Sequence, residues 1–183
     1  KETKKIIRRL LVQLDAEAQV VTELNPYLLR SIDIYLTLYP NDDLRKKMQQ
    51  GWLKGQSNEI AKIDRLDRWI TEDIKYGVKP LEIRKLRQTR LSLAQKNKKD
   101  DIVIHEGLEI AKILEGNEAR EFTYVAAQTM YKKKEYSKSL PLFIKLADWN
   151  IENKTSDKWG LLSQNIILDI YNENKNYTAI MQQ

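Results

Sequence analysis

Apolar residues recur every three or four positions along most of this chain, which is the period of a helix packed on one face. Ile7, Leu10, Leu11, Leu14, Ala18 and Val21 mark a first helix over 1–21. Asn25-Pro26 reads as a cap followed by proline at the first helical position, and Leu28, Leu29, Ile32, Tyr35, Leu36 and Tyr39 form the next stripe, ended by Pro40. Asn41-Asp42-Asp43 opens a short helix with negative charge at its start, where the helix dipole favours it. Gly51 and Gly55 are expected to punctuate the chain after it. Ser57 or Asn58 caps a helix bearing Ile60, Ile63, Leu66, Ile70 and Ile74, with Gly77 as its C-terminal stop. Pro80 starts another, with Leu81, Ile83, Leu86, Leu93 and Ala94 inward. After a turn at 98–101, Ile104, Leu108, Ala111 and Leu114 give a further stripe, closed by Gly116. With the segments beyond it, the pattern predicts about nine or ten short helices and no strand.

Two of the remaining segments look like copies of one unit. Phe122–Trp149 reads FTYVAAQTMYKKKEYSKSLPLFIKLADW, and a second copy starts at Trp159 with WGLLSQNIILDIYNENKNYTAI. Each runs from an apolar-periodic stretch through a Tyr, a short polar run and a second Tyr into a new apolar stretch. A repeated helix pair cannot bury its apolar face alone, so repetition predicts stacking: an all-α, right-handed solenoid of antiparallel helix pairs.

The stretch from Tyr124 to Ala147 resembles the tetratricopeptide repeat (TPR). The resemblance gives packing roles to Ala127, Met130, Tyr136, Ser139 and Phe143, with Met130 where the family usually has an aromatic and Pro141 in the first turn of the second helix. Gly107 matches the small crossing residue of a preceding unit; it lies 32 positions before Ser139, against a family period of about 34. Tyr131 and Tyr171 are 40 apart, so Ile151–Asp157 reads as an inserted connection. The resemblance covers roughly residues 80–183. It implies a concave groove lined by the first helices, and places Tyr124, Gln128 and Tyr131 there in one unit. With Tyr171 taken as the equivalent of Met130, it places Asn165, Asp169 and Asn172 there in the next. Amides and phenols at those positions suit an extended peptide, whose backbone groups they satisfy.

Length and composition fit one helical-repeat domain over 1–183, with helices in 1–50 that lack the motif and stacked pairs over 56–183. Six Gly and four Pro are few for an all-β chain. There is no Cys and a single His, His105, so disulfides, thiol nucleophiles, Cys-ligated metals and multi-His sites are excluded. That usage suits a reducing cytoplasm, and equally a bacterial periplasm. No apolar run reaches membrane-spanning length. The chain opens and closes within helical patterns, so it is expected to be part of a longer one.

The net charge of +6 is unevenly spread. Between Lys79 and Lys99, eight basic residues face only Glu82. Arg84, Arg87 and Arg90 stand three apart on one drifting ridge, which could contact phosphates of a nucleic acid, an acidic protein or a lipid surface. The competing reading is a solvated face paired to acids on neighbouring helices. Asp64, Asp67, Glu72 and Asp73 interleave with Arg65 and Arg68 and read as surface pairs rather than acid–base chemistry. His105-Glu106 lacks the second His of a zincin motif. Trp52, between Gly51 and Gly55, reads first as core filling, and would instead be a partner anchor if exposed. No catalytic, cofactor-binding or metal site follows from these residues. The expectation is a soluble, non-enzymatic scaffold that binds a protein or peptide in its groove. The alternatives are a basic module for an anionic partner, through Arg84, Arg87 and Arg90, or an accessory domain of a larger enzyme.

Overall fold

The computed structural model describes residues 2–18, 25–40 and 42–173. Among them are nine helices and no strand: α1 (Glu2–Ala18), α2 (Asn25–Leu38), α3 (Arg45–Gly55), α4 (Glu59–Lys75), α5 (Pro80–Lys96), α6 (Asp100–Ile113), α7 (Gly116–Lys132), α8 (Tyr136–Glu152) and α9 (Lys158–Glu173). The chain divides into two compact units, Lys1–Val78 and Lys79–Gln183. The expected helix end at Val21 and the apolar residues Ile180 and Met181 lie outside the described residues.

Local chemistry sets most of the boundaries. Asn58 caps α4, its side chain accepting the Ala61 N–H at 3.0 Å. Gly77 follows α4 at φ +70°, the left-handed conformation that glycine adopts without a Cβ clash. Pro80 opens α5. Three expectations are corrected. Gly51 and Gly55 do not break the chain; they lie within α3. Gly116 does not close α6 but opens α7, at φ +59°. Pro141 sits six residues into α8 rather than in its first turn, so the helix carries an interior proline and loses one backbone bond there.

In the Lys1–Val78 unit, α1 and α3 both pack on α2. Leu28, Ile32, Tyr35 and Leu36 of α2 are buried, as the periodicity predicts. Leu10 of α1 is exposed, and Leu11 and Ala18 carry the inner face. Trp52 is buried with its ring edge-on to Trp69 at 5.5 Å between centroids, so it is core and not a partner anchor. Ionic clamps join its elements: Arg65 of α4 pairs with Asp33 of α2 at 2.7 Å, and two more centre on Arg8 and Arg45. Arg8 donates to the Tyr35 hydroxyl at 2.8 Å and pairs with Asp42, which also accepts the Leu44 N–H at 2.8 Å. Burial alone would raise the Asp42 carboxyl, but the hydrogen bonds from Arg8 and Lys4 outweigh it and hold it below the usual carboxylate range. Arg45, nearly fully buried, donates to Asp73 at 2.7 Å and Glu72 at 3.0 Å. At Asp73 burial wins and its carboxyl is pushed up, Arg45 offsetting part of the cost.

In the Lys79–Gln183 unit each helix packs on the next from α5 to α9, and α7 also touches α9. The core holds Tyr124, Ala127, Phe143, Leu146, Ala147, Ile167 and Ile170. Small residues set the closest crossings. A Cβ on Gly107 would stand 3.1 Å from the Phe122 carbonyl oxygen and 3.2 Å from the Ala126 Cβ, so α6 and α7 meet almost backbone to backbone. A Cβ on Gly160 would overlap the Asn150 carboxamide. The inner stripe of α6 is Val103, Glu106, Gly107 and Ile110, one position away from the predicted Ile104, Leu108 and Ala111. The apolar arc of that helix is broad, so its periodicity is weak and the approach at Gly107 decides which face turns in.

Glycines in this fold are therefore not equivalent. Gly107→Ala is expected to lower the urea-unfolding free energy by roughly 1–3 kcal/mol, the cost of overpacking a close crossing. Gly51, whose added Cβ would meet only Ile32 Cδ1 at 4.0 Å, should behave oppositely. Gly51→Ala gains about 0.5–1 kcal/mol from helix propensity, and equal effects at both positions would contradict the packing described.

Candidate functional site

The residues assigned to a groove fall on α7 and α9. Tyr124 is buried in the core, its ring 5.9 Å from Phe143 and 5.2 Å from Trp159. Its hydroxyl accepts a long hydrogen bond from the Gln128 amide at 3.4 Å. Burial pushes the Tyr124 phenol above its ordinary value, with the Gln128 bond opposing. Tyr124 thus supports this face from below, with Gln128 half-buried beside it.

Tyr131 stands near the C-terminal end of α7, half-buried, between Tyr136 at 5.7 Å and Phe143 at 6.5 Å. Its hydroxyl donates to Asp169 of α9. The bond to Asp169 is the main cause that pushes the Tyr131 phenol up to about 12. Residues 38 apart in sequence are thereby joined across two helices. Asn165 and Asn172 are exposed on the same side of α9 as Asp169, at i−4 and i+3 from it.

The burial pattern also fixes how α7 and α9 correspond. Arg120, Ala127 and Met130 are buried on α7; Gly160, Ile167 and Ile170 are buried on α9. The two sets repeat at a spacing of 40, that of Tyr131 and Tyr171, rather than the 41 used to place Asn165, Asp169 and Asn172. The strict equivalents of Tyr124, Gln128 and Tyr131 are Gln164, Leu168 and Tyr171. The exposed face of α9 consequently presents Leu161 and Leu168 alongside Asn165, Asp169 and Asn172.

The basic ridge of α5 is built differently from an open anion site. Arg87 is buried, donating to Glu106 at 2.8 Å and reaching Glu109 at 3.5 Å. Arg90 donates to the other Glu106 oxygen at 2.5 Å, and Arg84 lies 3.5 Å from Glu118. Each arginine faces an acid on a neighbouring helix, the arrangement expected of a paired face. Glu106 is fully buried and both its oxygens are held by guanidinium groups.

Sequence reasoning passed over the strongest polar node. Arg120 of α7 is buried, its planar group 3.8 Å from the Trp149 ring centroid. Its Nη2 donates to the Leu146 carbonyl at 3.2 Å, Asn150 Oδ1 at 3.1 Å and Asp157 Oδ1 at 2.7 Å. Asp157 also accepts the Gly160 N–H at 2.9 Å, capping α9. The signal was present: Arg120 lies seven before Ala127 on the inner stripe.

No protein-family model and no curated protein matches this sequence. Its architecture does match solved structures. One is the crystal structure of nearly identical TPR-like repeats from a candidate kinesin light chain of Podosopora anserina, with TM-score 0.56 and 10% identity over 95% of this chain and 90% of that one. A single-substitution variant of the same protein matches with TM-score 0.55 and 10% identity, over 100% and 92%. The chain thus has the fold of a TPR-like helical-repeat protein, an all-α solenoid. Among the described residues no helix is long and apolar enough to cross a membrane.

Two measurements check this geometry. Glu106→Ala leaves the buried Arg87 with only its long 3.5 Å contact to Glu109 and should cost about 3–5 kcal/mol of stability; a cost below 1 kcal/mol would mean that the ion pair is not buried as described. The Tyr131–Asp169 bond makes its own pH prediction. A phenol raised in the folded state contributes stability that is complete below its unfolded value near 10 and is lost as pH rises towards 12. In ultraviolet titration, Asp169→Asn should move one tyrosine down towards 10, and an unchanged titration curve would show that the bond does not form in solution.

Proposed function

We propose that this protein is a non-enzymatic scaffold that binds a protein partner, as an extended segment, along the face formed by α7 and α9. The observation that carries this reading is the pairing of Tyr131 with Asp169, which joins two first helices of successive helix pairs into one surface. Exposed amides at Asn165 and Asn172, with Gln128 on α7, offer both donors and acceptors to a peptide backbone. Leu161 and Leu168 add apolar contact on the same face. The TPR-like fold supports the reading, because such repeats commonly serve protein interaction. The acids beside Arg84, Arg87 and Arg90 count against the anionic-partner alternative.

The test uses peptides selected on the immobilised chain from a random display library. The double variant Asn165→Ala/Asn172→Ala should weaken a selected peptide about tenfold or more, as expected for losing two backbone hydrogen bonds. Circular dichroism should be unchanged, since both side chains are exposed. Selected peptides that bind the variant and the parent equally would place recognition elsewhere on the molecule.

A further inference from the structure

The Lys1–Val78 unit contains a trough of about 620 Å³ between α1 and α3, floored by α2. Its apolar lining comes from Leu11 and Val12 of α1, Leu28 and Ile32 of α2, and Met48 and Gly51 of α3. That volume falls in the range of about 300–1,000 Å³ that suits a small-molecule ligand. Gly51 is its most informative residue. It sits inside a helix, where glycine is destabilising, yet no neighbour packs into the space of its missing side chain: the nearest atom is Ile32 Cδ1 at 4.0 Å. Compare Gly107, whose missing Cβ is required by a backbone 3.1 Å away. Internal packing explains Gly107 and does not explain Gly51.

The two ends of the trough differ. At Gly55 the helices close in, with Asn25 Oδ1 at 3.1 Å and Leu29 Cδ2 at 3.2 Å from the position of an added Cβ. At Gly51 the space is open. A trough whose floor, α2, comes up against α3 near one end suits a ligand that terminates there better than a polypeptide that runs through. Its rim is basic: Lys47 and Lys54 are exposed on α3, seven residues or about 10 Å apart, and Asp15 is the single acid among the described lining residues.

We propose that this trough binds an anionic amphiphile, an acyl chain lying over Gly51 with its acidic head held by Lys47 and Lys54. The long alkyl stems of the two lysines extend the apolar wall while their ammonium groups stay at the rim, where a single negative head meets them. The site is separate from the α7–α9 face and does not rest on the peptide-binding reading.

Cis-parinaric acid, whose fluorescence rises on leaving water, serves as the probe for titration of the full chain. Saturable binding is expected, displaced by oleate and by oleoyl lysophosphatidate but at least tenfold less well by uncharged oleyl alcohol. The relative strength of the two displacers distinguishes a carboxylate from a phosphate head. Lys47→Gln/Lys54→Gln should weaken the probe about tenfold and erase the preference over the alcohol. Gly51→Leu should abolish binding while retaining helicity. Val12→Phe is a second block from the opposite wall, at a position 59% exposed where folding does not depend on the side chain. Absence of saturable binding, or binding that survives both blocking variants, overturns the proposal, the latter because the probe then sits on another apolar surface.

Discussion

The buried guanidinium of Arg120 ties three helices together. Rooted in α7, it stacks on Trp149 of α8, donates to the Leu146 carbonyl and to Asn150 of that helix, and reaches Asp157, the residue that caps α9. The order of consequence runs from charge to packing. Arg120 draws Asp157 in; Asp157 fixes where α9 begins; the start of α9 sets Gly160 against the Asn150 carboxamide. Only then do Ile167 and Ile170 fall opposite Phe143, Leu146 and Ala147 in the core. The Tyr131–Asp169 bond lies further along the same two helices and depends on that register.

The same device recurs at other helix pairs. Arg8 of α1 meets Asp42, Arg45 of α3 meets Asp73 of α4, and Arg87 of α5 meets Glu106 of α6. Each odd-numbered helix from α1 to α7 contributes at least one arginine to a buried or half-buried acid, and α5 contributes two, Arg87 and Arg90. Such pairs add little net stability over a well-packed apolar substitute, because removing both charges from water costs nearly as much as their attraction returns. What they supply is discrimination: sliding a helix by one turn would strand a guanidinium in an apolar layer. In a stack whose apolar faces are mostly Leu, Ile and Ala, that penalty specifies register more sharply than shape alone.

This reliance on buried charge explains which parts of the structure could be read from sequence. The helices, the cap at Asn58, the stop at Gly77 and the start at Pro80 follow from local chemistry, and the structure has them. Stacking of helix pairs followed from the recurrence around Tyr131 and Tyr171. Register did not. On α6 a broad apolar arc opposite the exposed Asp101, His105 and Lys112 left the inner stripe open to a one-position shift, and the deciding contact, Gly107 against the Phe122 carbonyl, is long-range. On α9 a one-residue choice between Tyr171 as the partner of Met130 or of Tyr131 changed which side chains occupy matching positions. Arg87 and Arg120 were legible as residues on inner stripes, yet charge at helical spacing is ordinarily solvated, and nothing local marks an arginine whose acid lies on another helix.

The same logic accounts for a fold kept at 10% identity to its structural neighbours. Small residues at crossings and an aromatic four positions on are one way to hold a helix pair, and this chain keeps them around Ala127, Ser139 and Phe143, all buried. On α6 the small residue Gly107 remains, at the crossing with α7, but beside it a fully buried carboxylate clasped by two arginines makes the join to α5. At α3–α4 the join is Arg45 with Asp73, beside a tryptophan pair. Crossing geometry in a helical stack requires only that each pair be held at one distance and one register, and several side-chain sets meet that condition. Sequence motifs record one such set, so the motif fades along this chain while the architecture does not.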